Sequence, residues 1–358
     1  MTLAAVAPHV RSSVTTGRLL GGFVVASLPA MLIGLWNLGY QTLAAAESLP
    51  VERLAGWPWS VMRALGLDPS ADAVVACFSF GLLQLAPLFV TVIAVAYGWE
   101  RIIASRRQRA VDPGWFMTAW LLLLLLPPAT PVLLAAVAMS FAAVIGAHVF
   151  GGTGRYLVSP ALLGVLFLHF SYPGFVAAAL PLPGLELATS WALVAAEGPG
   201  TLDFIAVFAG AELGAVGAVS AAACLLGGVY LVRAGAASAR TLLGGLIGLV
   251  AVALLANLFG PADAAWQVPW YWHLALGNFA FALVFLATDP TTTPLTPAGR
   301  WAHGVLIGML TVMLRVVDPS HPEGTLFAVL LAGLAVPLMD HLALRVTIAR
   351  SQSRRAAS

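Results

Sequence analysis

Long apolar stretches, separated by short polar or proline-rich segments, dominate the chain from residue 19 to residue 344. A membrane-spanning helix needs about 20 mostly apolar residues, and ten such stretches can be placed, some of them shorter than that. They cover residues 19–38, 74–104, 116–126, 132–149, 161–180, 211–232, 242–259, 274–287, 301–317 and 326–344. The pattern predicts an all-α integral membrane protein with about ten transmembrane helices.

Composition supports a single polytopic membrane domain over residues 1–358. Hydrophobic residues make up 60% of the chain and charged residues only 9%. A soluble domain of this size with so few charged residues would have an apolar surface. All 17 basic residues are arginine, so no lysine amine is present for Schiff-base chemistry. Cys77 and Cys224 lie in apolar stretches, and neither cysteines nor histidines have metal-ligand spacing. We therefore expect no iron–sulfur or zinc site built from this chain alone.

The arginines predict the orientation of the spans. If the N-terminus is cytoplasmic and ten spans alternate, fourteen of the 17 arginines fall inside, and only Arg53, Arg63 and Arg315 lie on or near the outside. Such a bias follows the positive-inside rule. It places residues 1–17 and the arginine-rich tail 345–358 in the cytoplasm and predicts that the loop 181–210 is extracytoplasmic.

The same count divides the chain into two halves of five spans. The first half starts inside and the second starts outside. Two halves of opposite orientation suit an inverted repeat, in which the functional site lies near the membrane midplane at the junction of the halves.

Candidate chemistry is most concentrated after Trp270, where an aromatic approach leads into an apolar stretch that ends at Asp289-Pro290. Phe281 and Phe285 are four residues apart and share one helix face. A carboxylate that closes an apolar helix beside a helix-breaking proline is typical of a polar pathway. The alternative is a helix end at the interface with a solvated aspartate.

A glycine-rich break precedes the fifth span and contains Gly151, Gly152, Gly154 and Arg155, followed by Ser159. Glycines let a backbone approach a ligand closely, and consecutive N–H groups can hold an anion or the edge of a flavin. The alternative is a cytoplasmic turn with a positive-inside arginine.

Three acids lie at the predicted cytoplasmic ends of apolar spans: Glu100, Asp289 and Asp340. A charge at the centre of a membrane helix costs about 2.5–3.5 kcal/mol, so intramembrane acids are usually functional or paired. Pairing with a flanking arginine, such as Arg101 with Glu100, is the simpler explanation. Three acids on one side nevertheless suggest a shared cytoplasmic vestibule.

Several motifs resemble the NqrB component of the sodium-translocating NADH:quinone oxidoreductase and, less closely, the RnfD component of the Rnf complex. The resemblance is carried after residue 268 by PWYWHLALGNFAFALVFLATDP, GRWAHGVLIGMLTVMLRVVDPSHPEG and PLMDH. It extends upstream through FGGTGRYLVSPAL, VDPGWF, PPATP, YGWE and PAMLIGLWNLGYQT. The chain is identified as a member of this NqrB/RnfD family, which implies a multi-pass protein of the bacterial inner membrane with both termini in the cytoplasm.

The resemblance implies a flavoprotein that relays electrons between flavins towards quinone, coupled to sodium movement. It implies a non-covalent riboflavin or FMN within the membrane and an FMN joined by a phosphoester to a threonine of the outer loop. The sodium path of the family would here involve Phe281, Phe285 and Asp289, with Glu100 and Asp340 matching further family acids.

The loop that should carry the covalent FMN departs from the family. The family's Ser-Gly-Ala-Thr is absent, and the chain reads LELATSWAL at residues 185–193. An ungapped alignment places Ser190 at the attachment position, and a shift of one residue places Thr189 there. Ser159 also replaces a residue that is usually asparagine. The covalent site is therefore either retained on one of these hydroxyls or lost.

We interpret the chain as a membrane flavoprotein component of an Nqr/Rnf-like redox complex. It has no dinucleotide-binding fingerprint in a strand–turn–helix unit, so we expect other membrane, flavin or iron–sulfur subunits to deliver electrons, with quinone as acceptor. Nucleic acid is not an expected partner. The alternatives are a channel or transporter on the same scaffold and a flavin-free protein that anchors a complex.

Overall fold

A computed structural model describes residues 16–47, 56–67, 70–176, 189–261, 263–319 and 324–357. All regular structure within these ranges is helical, which confirms the predicted all-α class. Most of the predicted cytoplasmic N-terminus and the first part of the predicted outer loop lie outside the described residues.

The helices follow the predicted apolar stretches closely. In chain order they are α1 Thr16–Glu47, α2 Trp57–Ala64, α3 Val74–Arg106, α4 Gly114–Leu125, α5 Val132–Phe141, α6 Pro160–Ser171, α7 Pro173–Val176, α8 Ser190–Glu197, α9 Phe204–Ala209, α10 Ala221–Arg233, α11 Ala239–Phe259, α12 Trp270–Ala275, α13 Phe279–Phe281, α14 Pro297–Val317, α15 Gly324–Leu334 and α16 Val336–Ala357. Helix α5 continues as a π-helix over Ala142–His148, and α13 continues as a π-helix over Ala282–Leu286.

Four of the described helices, α1, α3, α11 and α14, are long and apolar enough to cross a membrane. The pair α15 and α16 passes the same criterion together but bends by 46° at its break. Helices α4, α6, α10 and the combined α5 segment are apolar but shorter. The structure thus confirms a membrane protein, while the count of ten spans stays a prediction.

Several predicted spans differ from continuous helices. The stretch 326–344 is divided between α15 and α16, and α6 ends at Ser171 within the stretch 161–180. Two further breaks involve glycines. The stretch 211–232 is helical only from Ala221, because an irregular segment follows Gly210, whose φ is 130°. The stretch 274–287 is divided at Gly277, whose φ is 64°. Both φ values lie in the region that favours glycine. Around Gly277 the flanking residues are apolar, so hydrophobicity alone cannot reveal that break.

The packing of helices recurs between the two halves of the chain. In the first half α1 contacts α4, α3 contacts α5, and α5 contacts α6; in the second half α10 contacts α13, α11 contacts α14, and α14 contacts α15. Across the halves α1 packs on α10 and α6 on α15. This pattern supports the inverted repeat, which stays a prediction.

Candidate functional site

Two phenylalanines form the centre of the candidate site. Phe281 and Phe285 are fully buried on α13 and its π-helical continuation, with ring centroids 4.9 Å apart. Short π-helical stretches are frequent at functional sites because they disturb the regular hydrogen-bond ladder. Phe281 and Phe285 therefore lie side by side, as predicted, but on a segment that is not a regular α-helix.

Glycines allow these rings to fill the space between helices. A Cβ atom on Gly217 would lie 2.8 Å from Cε2 of Phe281 and 2.6 Å from Cβ of Leu124. A Cβ atom on Gly227 would lie 3.0 Å from Cζ of Phe285. We call Leu124, Phe281 and Phe285 the apolar plug, because their side chains are buried and leave no room for a larger residue at either glycine.

We call α13 and its π-helical continuation, Phe279–Leu286, the plug segment. Asp289 lies just after the C-terminal end of this segment and is buried. Its Oδ1 accepts hydrogen bonds from the main-chain N–H of Thr291 at 2.9 Å and from the Thr291 hydroxyl at 2.7 Å. The carboxylate lines a cleft with an empty volume of about 270 Å³, including any part open to solvent. Other residues of this Asp289 cleft are Gly114, Thr118, Thr153, Tyr156, Ser159 and Thr291.

A second buried carboxylate, Glu212, lies at the N-terminal end of the plug segment. It is only 3% exposed, and its Oε1 accepts a hydrogen bond of 2.8 Å from the N–H of Gly277, at the break in the span. Its main-chain oxygen accepts a hydrogen bond of 2.7 Å from Nδ2 of Asn37. The Glu212 cleft has an empty volume of about 200 Å³ and is lined by Gly34, Asn37, Leu38, Gln41, Leu213, Gly214 and Val219 besides Glu212.

Sequence reasoning missed Glu212. The apolar pattern places Glu212 in the first turn of the predicted span 211–232, whereas in the structure it belongs to the irregular segment before α10. The available signal was the sequence AELGAVG, in which an acid and two glycines interrupt an apolar run.

Glu100 is buried against a cationic neighbour. Its Oε1 lies 2.9 Å from Nη1 of Arg109 and accepts a hydrogen bond from the N–H of Asp112 at 2.8 Å, while Oε2 lies 3.3 Å from Nε2 of His148. The expected pairing with an arginine is thus present, but with Arg109 rather than Arg101, since the loop after α3 folds back over its last turns.

The glycine-rich break forms a tight turn, with φ values of 112° at Gly151, 97° at Gly152 and 85° at Gly154. Its N–H groups largely bond within the protein: Gly152 donates to the carbonyl of Ala147, and Thr153 donates to Oδ2 of Asp112. These two N–H groups therefore already have partners within the protein, and the binding of a ligand by the glycine-rich break stays a prediction.

The turn also places two side-chain hydroxyls close to each other. The hydroxyls of Thr153 and Tyr156 are 3.0 Å apart. Burial raises the pKa of Tyr156 to about 12, so its hydroxyl stays neutral at physiological pH. Arg155 is exposed and Ser159 is buried.

Glu100 and Asp289 line neighbouring clefts. The Glu100 cleft has an empty volume of about 320 Å³, again including any part open to solvent, and shares Thr118, Thr153 and Tyr156 with the Asp289 cleft. The structure thus brings Glu100, the segment from Gly152 to Ser159, and Asp289 together from three distant parts of the sequence. Asp340 lines neither cleft.

Asp340 instead fixes the start of α14. Its two carboxylate oxygens accept hydrogen bonds from the N–H of Leu295 at 2.8 Å, the N–H of Thr296 at 2.9 Å and the Thr296 hydroxyl. The expectation of one vestibule shared by three acids is therefore wrong for Asp340, because its partners lie in the loop that follows Asp289.

A buried arginine bonds to the backbone just before the break at Gly277. Arg315 is 1% exposed and donates to the carbonyl oxygens of His273 at 2.7 Å and Leu276 at 2.8 Å. Its guanidinium lies 5.5 Å from the ring centroid of Trp191, whose Nε1 donates to the carbonyl of Pro319. Helix α8 is thereby tied to the same break.

Comparison with known proteins identifies the family of this chain. The model of the NQR2, RnfD, RnfE family matches residues 3–348. The chain belongs to this family. It is 37% identical to the NqrB component of the Na(+)-translocating NADH-quinone reductase of Klebsiella pneumoniae strain 342, over 97% of this chain and 89% of the relative. The same component is 37% identical in Azotobacter vinelandii and 36% identical in Neisseria meningitidis serogroup B, with 97% of this chain and 88% and 89% of the relatives covered.

Trp115 and Tyr156 contribute rings to the wall of the Glu100 cleft. Among the described residues, the buried atoms without a hydrogen-bond partner include Nδ1 of His148, which lines this cleft, and Nη2 of Arg109, whose Nη1 pairs with Glu100. Buried polar atoms without a partner are costly and call for explanation.

The outer-loop hydroxyls fit a covalent flavin poorly. The Oγ1 of Thr189 accepts a hydrogen bond from the N–H of Ala192 and so caps α8. Ser190 is buried at the first position of that helix. The residues that precede them, 177–188, lie outside the described residues.

Proposed function

We propose that this chain is the membrane component of a sodium-translocating NADH–quinone reductase in which Na⁺ crosses at the apolar plug while electrons pass through a flavin in the Glu100 cleft. The observation that carries this proposal is the position of the buried carboxylate of Asp289 directly after the segment that holds Phe281 and Phe285. Membership of the family and the names of its relatives agree with it.

The geometry supports a gated cation path rather than an open pore. Phe281 and Phe285 are fully buried, so an ion passes only when the plug rearranges. The adjacent π-helix and the glycines under the rings let this segment move without breaking a regular helix. The ring faces can also attract a partly dehydrated cation, by about 0.5–2 kcal/mol. Asp289 would bind the ion at the cytoplasmic entrance.

The redox role is assigned to the neighbouring cleft. A flavin bound there would accept electrons and pass them on, and this chain would hold it in place. In our proposal Nη2 of Arg109 donates a hydrogen bond to its polar edge and Nδ1 of His148 accepts one. Trp115 and Tyr156 flank its ring, and the Thr153 and Tyr156 hydroxyls border the Asp289 cleft. The shared wall of the two clefts gives a short physical link between the flavin and the cation site.

The electron donor and acceptor belong to partners. Oxidation of NADH requires another protein of the complex, because the chain lacks a dinucleotide fingerprint, and we expect quinone to be reduced within the assembled complex. We also propose that covalent FMN is absent or sub-stoichiometric, since Thr189 caps a helix and Ser190 is buried. Both termini would be cytoplasmic in the bacterial inner membrane.

The decisive experiment combines two measurements. These are the absorption spectrum of this chain purified by itself and the turnover of the assembled complex with and without Na⁺. We expect flavin bands in this protein and sodium-stimulated turnover. Trp115→Ala should lower the non-covalent flavin content, whereas Trp301→Ala, which alters a half-exposed tryptophan of α14, should not. A chain without flavin would support an anchor, and ion flux without electron transfer would support a channel; either result would overturn the redox proposal.

A further inference from the structure

Glu212 is the strongest unexplained feature of the molecule. A carboxylate that is 3% exposed within an apolar bundle is costly unless it is paired or functional. It occupies an irregular segment rather than a helix, and irregular backbone at membrane depth is tolerated where it lines a cavity. In this chain that cavity is the Glu212 cleft.

One peptide group separates Glu212 from the buried Arg315. Arg315 donates to the carbonyl oxygen of Leu276, and the N–H of Gly277, which belongs to the same peptide group, donates to Oε1 of Glu212. The break before the plug is thus fixed between a cation and an anion. Arg315 thus contributes part of the charge balance at Glu212 through this peptide group.

The Glu212 cleft offers oxygen ligands of the kind that hard cations prefer. Besides the carboxylate, Asn37 and Gln41 supply side-chain amides; Nε2 of Gln41 donates to Oδ1 of Asn37 over 3.5 Å. No arginine lines this cleft among the described residues. A small monovalent cation that has shed most of its water would match the charge of this cleft.

The two carboxylates lie at opposite ends of the same short segment. Glu212 bonds to Gly277, and Asp289 follows Leu286, so the helical stretch Phe279–Leu286 separates them. At about 1.5 Å per residue this stretch spans roughly 12 Å. An ion that leaves Asp289 and passes Phe285 and Phe281 would next meet Glu212.

We infer that Glu212 is the carboxylate that receives a monovalent cation on the extracytoplasmic side of the plug. This inference rests on the proposed function, since it takes the plug as the site of cation passage. It assigns a second acid to the path and gives the break at Gly277 a purpose, which is to place a carboxylate directly beyond the two rings.

Thiol labelling tests the inference without relying on redox turnover. Gly214 lines the same cleft, and a Cβ atom on it meets nothing within 4 Å, so Gly214→Cys should fold. In a Cys77→Ser, Cys224→Ser background, a membrane-impermeant cationic methanethiosulfonate is added to the extracytoplasmic face of vesicles that contain the complex. We expect Na⁺ to slow the reaction at least fivefold relative to choline when residue 212 is glutamate.

The matched variant is Glu212→Gln, whose side-chain oxygen still accepts the hydrogen bond from Gly277. In that variant Na⁺ should no longer slow labelling. With glutamate at position 212 we expect cationic methanethiosulfonates to react faster than anionic ones, and this difference in rate should also disappear in the variant. Glu197→Gln, which changes an exposed carboxylate of α8, should leave both effects intact.

Three results would overturn the inference: equal protection by Na⁺ with glutamate and glutamine, no protection in either, or labelling only from the cytoplasmic face. If Glu212→Gln fails to assemble, the Glu212→Asp variant is compared with the protein that keeps glutamate at this position. Unchanged protection by Na⁺ with the shorter carboxylate would count against direct binding. Sodium-independent turnover combined with normal protection would remove the proposed pump but leave this site standing.

Discussion

Asp289 and Glu100 are both buried acids near the ends of apolar stretches, yet their surroundings differ. Glu100 lies 2.9 Å from a guanidinium nitrogen of Arg109 and 3.3 Å from His148. The hydrogen bonds described for Asp289 come from the uncharged Thr291. An acid that already has a cationic partner gains less from a mobile cation, so Asp289 is the better candidate to bind one reversibly.

Replacement of Asp289 by asparagine should weaken sodium binding specifically. Asparagine can still accept the hydrogen bonds from Thr291, but it lacks the charge. Since a contact with a charged group contributes about 1.5–3 kcal/mol, the Na⁺ concentration for half-maximal turnover should rise roughly tenfold or more. Flavin content should not change. Asp263→Asn, at an exposed site, is the control, and an unaltered sodium requirement in Asp289→Asn would contradict the assignment.

The two hydroxyls at the start of α8 allow a clear test of covalent flavin. Ser190 is buried and Thr189 caps the helix, so intact-mass spectrometry of the denatured protein should show little or no FMN adduct. If an adduct is found, Ser190→Ala and Thr189→Ala identify its site. Loss of the adduct in Ser190→Ala alone would show that this buried serine becomes accessible during modification.

At the scale of elements, glycines determine how closely α11 and α14 approach each other. A Cβ atom on Gly304 would lie 2.2 Å from the carbonyl oxygen of Thr241, and one on Gly308 would lie 2.1 Å from that of Gly245. Small residues at such crossings let helix backbones touch, which is the main source of packing energy between helices in a membrane.

Gly308→Ala should therefore separate α11 from α14. The methyl group would overlap a backbone oxygen that cannot rotate away, and overpacking of this kind costs about 1–3 kcal/mol. We expect a lower melting temperature in detergent. Gly98→Ala in α3, where nothing lies within 4 Å of the added Cβ, should leave the melting temperature nearly unchanged or raise it slightly.

The irregular segment before α10 provides a similar pair of substitutions at the plug. Gly217→Ala places a methyl group within 2.8 Å of Phe281, whereas Gly214→Ala places one in open space. We expect Gly217→Ala to slow sodium-coupled turnover several-fold, because it displaces the rings, and Gly214→Ala to have little effect. Equal rates in both variants would show that the plug does not limit transport.

At the scale of the whole molecule, the predicted topology decides which cleft faces which compartment. Reporter fusions after Arg109, Arg240 and Arg300 should report a cytoplasmic location, because arginines are retained inside. A fusion near Gly198 should report the outside. A cytoplasmic signal at Gly198 would reverse the sides assigned to the Asp289 and Glu212 clefts.

Much of the architecture could be read from the sequence, because the free energy of insertion depends on the apolarity of each stretch by itself. The low charge content established a membrane protein, and the apolar runs predicted α3, α11 and α14 within a few residues, whereas α1 extends nine residues beyond its predicted end. The motif that ends at Asp289 also identified the plug phenylalanines and the acid beside them.

Only the tertiary structure decided which polar groups meet. Glu212 and Gly277 are 65 residues apart, and Arg315 and Leu276 are 39 apart; no local pattern relates them. The same holds for Asp340, whose partners lie 44 and 45 residues away. Hydrogen bonds and ion pairs act over a few ångströms, so their partners follow from how the helices pack, whereas hydrophobicity is a property of each residue along the chain.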